Sequence, residues 1–152
     1  MEFTKKLAET TEEIFSTMLF MDVAPQPPLA AEKQILDCQV SAMIGLSGGF
    51  SAMLGVHCPA AVGLGIAGAM LGLELDEVDA DVKDALGEIA NMLAGGLKQR
   101  FSQEDIALDL AIPTAITGKS YTIAAPSGSN RVVVPFITEP GQFFIEIKYH
   151  LA

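Results

Sequence analysis

The stretch VKDALGEIANMLAGGLKQRF, residues 82 to 101, decides how the rest of the chain is read. On an α-helix, at about 100° per residue, Asp84, Glu88, Asn91 and Gly95 fall within an arc of roughly 60°. Val82, Leu86, Ile89, Leu93 and Leu97 gather on the opposite side. One face can therefore be buried while the other presents two carboxylates and a carboxamide in a row. The residues flanking the row are small: Ala85, Gly87, Ala94 and Gly95. Glycine costs about 1 kcal/mol against alanine inside a helix, so Gly87, Gly95 and Gly96 ask for a reason. Close approach of another surface is one. An ordinary solvated face, with glycines at packing contacts, is the alternative that the helix alone leaves open.

Working outward, Leu73 to Asp81 is an acidic connection whose carboxylates suit the N-terminus of that helix. Before it, AAVGLGIAGAMLGL (residues 60 to 73) reads as a short second helix, with Gly68 and Gly72 spaced for close helix approach. Farther upstream, every even position from Leu36 to Leu46 is apolar, and the pattern resumes at Phe50, Ala52, Leu54, Val56 and Cys58. Ser47-Gly48-Gly49 between them predicts a hairpin turn. Both apolar faces stay on one side only under same-parity pairing. A three-residue loop does this by placing Leu46 opposite Phe50 and Cys38 opposite Cys58, which makes the thiols buried, reduced neighbours. Phe3, Leu7, Ile14 and Met18 follow helical spacing over residues 3 to 20, and Pro25, Pro27 and Pro28 then impose an extended linker.

Downstream, Ile106, Leu108, Leu110 and Ile112 alternate as a strand up to Pro113. A turn at Gly118 leads to a strand from Tyr121 to Ala125, followed by a polar loop over Pro126 to Asn130. Arg131 to Glu139 and Gln142 to Leu151 form a last hairpin around Pro140-Gly141, with Phe143, Ile145, Ile147 and Tyr149 on one face. Strands bracket helices across mostly tight turns. The fold expected is α+β: one domain over residues 1 to 152, an antiparallel sheet with amphipathic helices packed on it.

The 9 basic residues against 19 acidic, a formal net charge of −10, argue against nucleic acid or an anionic membrane surface as partner. Two cysteines fit neither a disulfide framework nor a zinc site. The start, MEFTKKLAETTEE, has no apolar signal-peptide core. Val56 to Leu73 is nearly uncharged but contains His57, Pro59 and four glycines, which suits a buried helix better than a membrane span. A cytoplasmic protein is the expectation. His57 and His150 have no ligand or triad partners at sequence spacing and read as bland. Glu9, Glu13 and Ser16 repeat the spacing of Asp84, Glu88 and Asn91, but Ser16 lacks the carboxamide, so that copy reads as chemically blank.

The row extends into a longer spacing: Asp84, three residues, Glu88, two residues, Asn91, twenty-one residues, Pro113. This resembles the signature of the CheC, CheX and FliY family of bacterial chemotaxis phosphatases, and DALGEIANMLAGG and PTAITG also look like that family. A single complete copy is more similar to CheX than to CheC. The resemblance implies a CheX-like fold and hydrolysis of the aspartyl phosphate of a CheY-like response regulator in chemotaxis or related signalling. It implies that Asn91 orients the attacking water and that Glu88 pairs with a lysine of the receiver. Asp84 and Gly95 then belong to the docking surface, and Pro113 sets a turn. It also implies no cofactor of this chain's own, since Mg²⁺ would sit on the receiver's carboxylates. A homodimer is expected too, formed through the apolar strand Phe143 to Leu151 as an open edge. The alternative is a non-catalytic module of the same fold that docks a receiver or another partner. Retention of both Glu88 and Asn91 favours the enzyme, because a pure binder has no use for the carboxamide.

Overall fold

The computed structural model describes residues 2–124 and 130–151. In chain order they form α1 (Phe3–Met18), β1 (Ala24–Pro25), β2 (Ile35–Gly48), β3 (Phe50–Cys58), α2 (Ala60–Leu71), α3 (Ala80–Ser102), β4 (Leu108–Leu110), β5 (Thr114–Ile123), β6 (Asn130–Thr138) and β7 (Gly141–Leu151). From Val40 onward the alternating apolar residues do what their period demands, whereas before it, where β2 shifts register against β5, Leu36 is exposed and Ile35 is buried instead. Val40, Ala42, Ile44 and Leu46 of β2 and Leu54, Val56 and Cys58 of β3 are buried, together with Phe143, Ile145 and Ile147 of β7. They join Phe3, Leu7 and Phe15 of α1, Val62 and Ile66 of α2 and the apolar stripe of α3 in one core. The three helices thus cover one face of an antiparallel sheet ordered β1-β6-β7-β3-β2-β4, with β5 beside β4 on the outer edge of β2. The expected α+β architecture is the one observed. No helix among the described residues is long and apolar enough to cross a membrane.

Four local expectations need correction. The β2–β3 hairpin keeps its parity but slips by two residues: Leu46 pairs with Ala52 and Val40 with Cys58. Phe50 does not cap the turn but is buried against Phe3 and Phe101, at ring-centroid distances of 5.4 and 5.0 Å. Gly49, meanwhile, donates its N–H to the Ala107 carbonyl. Aromatic burial and a third chain segment outweigh a shorter loop. As a result Cys38 leaves Cys58 and packs behind the sheet with Ile35 and Val133, whereas Cys58 stays in the main core.

There is no turn at Gly118. β5 is continuous along β2, and the register shift between the Val40–Thr117 and Cys38–Tyr121 pairs makes the Gly118 region a bulge. β7 is not an edge either, because it pairs with β3 on one side and β6 on the other. Gly72 serves to end α2 in the left-handed conformation (φ 69°), and Gly68 alone makes a close approach, to the Leu73 carbonyl. The final hairpin turns as expected, with Thr138 opposite Gly141. Of the polar loop expected over Pro126 to Asn130, residues 126–129 lie outside the described residues.

Candidate functional site

Helix α3 starts where Asp79 accepts hydrogen bonds from the N–H groups of Asp81 and Val82, and it runs unbroken to Ser102. Its apolar stripe, Val82, Leu86, Ile89, Leu93 and Leu97, is buried. That fixes the rotation of the helix, so the polar row must face outward. Asp84 and Glu88 are exposed, and Asn91 and Gly95 are half-buried. Among the described residues, none of the side-chain hydrogen bonds or ion pairs involves Asp84, Glu88 or Asn91. The row therefore presents two carboxylates and a carboxamide whose bonding capacity none of the described residues uses.

The flanks of the row are built by different elements. On one side, the β4–β5 connection carries Pro113 against α3: a Cβ at Gly87 would lie 3.9 Å from the proline's Cβ. On the other side α1 runs antiparallel to α3, as the pairs Lys6–Glu104 (2.5 Å) and Glu13–Arg100 (2.8 Å) show. Gly96 lets it approach, since a Cβ there would fall 2.5 Å from Thr10 Cγ2. The blank copy of the motif lies on this helix. Glu13 is tied to Arg100, and the Ser16 hydroxyl donates to the Glu13 carbonyl at 3.2 Å. A hollow of about 780 Å³ along α2 and the 72–75 segment does not touch the row.

Behind the sheet lies an arrangement that sequence spacing did not reveal. Tyr121 of β5 donates its hydroxyl to Ser41 of β2 (2.7 Å), and Ser41 meets His57 Nδ1 of β3 (2.7 Å). His57 Nε2 meets Glu146 of β7 (3.0 Å), and Glu146 is paired with Arg131 Nε of β6. Arg131 also donates to the carbonyls of Ala31 (3.0 Å) and Lys33 (2.6 Å). His57 is thus far from bland, although its partners Ser41 and Glu146 stand 16 and 89 residues away. Burial pushes the Glu146 carboxyl up, but the hydrogen bonds and charges of His57 and Arg131 outweigh it and hold the group below 4.5. Burial also pushes Tyr121 to about 12, against a partly offsetting bond to Ser41, and Cys38 to about 11; Cys58 is raised too. A serine, histidine and glutamate in line suggest a hydrolase triad. However, Ser41 is 0% and His57 1% exposed, so no substrate reaches them. The line is structural.

Residues 40–137 match the family model described as chemotaxis phosphatase CheX. The CheY-P phosphatase CheX of Thermotoga maritima is 29% identical over 82 residues, which are 53% of this chain and 53% of that protein. The alignment therefore spans about half the length of that curated relative. A crystal structure of a chemotaxis protein CheX from Desulfovibrio desulfuricans superposes with a TM-score of 0.88 at 27% identity, covering 99% of this chain and 100% of the other. A chain of a CheX–CheY–BeF3–Mg²⁺ complex from Borrelia burgdorferi gives a TM-score of 0.78 at 18% identity, over 98% of each chain, and shares the fold.

Proposed function

Because the chain belongs to the CheX family of chemotaxis phosphatases, we propose that it hydrolyses the aspartyl phosphate of a CheY-like response regulator docked on α3. The observation that carries this reading is the unpartnered carboxamide of Asn91 one turn from the unpartnered carboxylate of Glu88, both on the outward face of a rigid helix. Hydrolysis of an acyl phosphate needs an in-line water and charge stabilisation more than a covalent nucleophile. Asn91 orients that water without adding negative charge beside the phosphoryl oxygens. Glu88 pairs with a lysine of the receiver, which fixes the register of docking. Asp84 and Gly95 extend the docked surface, and Pro113 holds the β4–β5 connection against α3. The Thermotoga relative bears the name CheY-P phosphatase, and the Borrelia complex contains CheY with Mg²⁺. In this chain's reaction the metal belongs to the receiver's own carboxylates. We place the reaction in the cytoplasm, where receiver domains are phosphorylated.

We also propose a homodimer, moved from β7 to the edge strand β5. β6 is covered by β1 and by the N–H groups of Gln26 and Leu29, whereas among the described residues β5 pairs only with β2. An open ten-residue edge invites a second copy. Light scattering at micromolar concentration should give twice the chain mass, and a monomer mass rejects this.

Single-turnover dephosphorylation of an acyl-phosphorylated receiver tests the mechanism. Asn91→Ala should lower the rate on the order of 10²-fold, roughly 3 kcal/mol, with receiver binding retained. Glu88→Ala should weaken docking as well as turnover and reduce the salt dependence of binding. Wild-type turnover in Asn91→Ala rejects the assignment.

A further inference from the structure

A groove of about 280 Å³ runs beside the row, lined by Glu13, Ile14, Thr17 and Met18 of α1 and by Met92, Gly95, Gly96, Gln99 and Arg100 of α3. Its two central glycines have opposite explanations. Gly96 is compelled by Thr10 of its own chain, but a Cβ at Gly95 would meet nothing within 4 Å. The chain thus bears the helix cost of Gly95, about 1 kcal/mol, to keep open a space that it does not itself fill. Gly95 is also a member of the docking row, so the groove and the row are one continuous surface. Its wall is apolar and adaptable: Met18 is 59% exposed, and Met92 faces it across the groove. Glu13 and Arg100 neutralise each other along the same groove, which leaves no free cation for a phosphate among the described residues that line it.

We propose that this groove is a socket for an aliphatic or aromatic side chain of the receiver, and that α1 acts as the wall selecting which receiver docks. The inference rests on the phosphatase reading above and deepens it. α3 carries the chemistry, while α1, with its blank motif copy, recognises the partner through Thr17 and Met18. A knob seated here anchors the receiver next to Asn91 and keeps bulk water from one side of the phosphoryl group. Methionine walls accommodate related but unequal knobs, so recognition is by fit and not by charge.

The test uses the full chain and the CheY-like receiver of the same genome, loaded with Mg²⁺ and beryllofluoride for binding and acyl-phosphorylated for turnover. Met18→Lys should raise Kd about ten-fold and act on Kd, not on the rate at saturating phosphatase. Met18→Leu should restore binding. Lysine at a helix C-terminus suits the dipole, so the fold should persist, as melting temperature will show. Met53→Lys, an exposed methionine on β3 away from the helices, is the control and should bind normally. Unchanged binding by Met18→Lys overturns the socket, as does a loss confined to the saturated rate or a loss shared equally by Met53→Lys. Asn91→Ala in the same experiment separates the failures. If it loses turnover while Met18→Lys binds normally, only the socket falls; if it keeps turnover, the phosphatase mechanism itself falls.

Discussion

Gly95 and Gly96 are adjacent and equally poor helix formers, yet the structure gives them opposite constraints. At Gly95 an added methyl group enters open space, so Gly95→Ala should stabilise the fold by about 0.5–1 kcal/mol. At Gly96 the methyl group would lie 2.5 Å from Thr10 Cγ2, on a buried residue whose side chain has few rotamers to retreat to. Gly96→Ala should therefore cost about 1–3 kcal/mol. Urea unfolding of the two variants checks the sign of each, and a common sign refutes the distinction. At this scale the sequence was informative wherever the partners are local. The rotation of α3 follows from residues 82–101 alone, so the exposure of Asp84 and Glu88 was legible. The partners of His57 were not, because three strands from distant parts of the chain bring them together.

Elements were legible in kind and less so in pairing. The period of two put the correct faces of β2 and β3 into the core, and the final hairpin closed at its Pro-Gly turn. Parity cannot tell one even register from the next, and here a buried Phe50 and a bond from Gly49 to Ala107, just before β4, decided between them. In the same way, Gly118 and Gly68 look alike on paper, and only the neighbouring chain assigns a bulge to one and a close contact to the other. Within β3 this gives a prediction. A Cβ at Gly55 would sit 2.6 Å from His57 Nε2, whereas one at Gly45 in β2 would meet Ala111 Cβ at an ordinary 3.5 Å. Gly55→Ala should cost about 1–3 kcal/mol by displacing the buried imidazole, and Gly45→Ala much less. Equal denaturation midpoints for the two would refute the account of His57.

At the scale of the molecule, the two faces of the sheet are stabilised by different physics. The helix side is apolar, and the far side turns on one buried carboxylate. Glu146 is held below its ordinary 4.5, so it contributes stability that is complete above that value and is lost as pH falls through the depressed one. Unfolding free energy should drop in that acid window, and Glu146→Gln should be less stable at neutral pH with a shallower acid slope. A mutant that keeps the wild-type slope shows that another group is responsible. The same line of side chains has a mechanical consequence. Backbone ladders join each strand only to its neighbours, but Tyr121, Ser41, His57, Glu146 and Arg131 form a tie rod across β5, β2, β3, β7 and β6. Cutting it anywhere loosens both flanks together. In hydrogen exchange, the amides of β5 and β6, which share no backbone ladder, should lose protection in step when His57 is replaced by alanine. The strand proposed to meet a second copy and the strand at the rod's other end would then open as one unit.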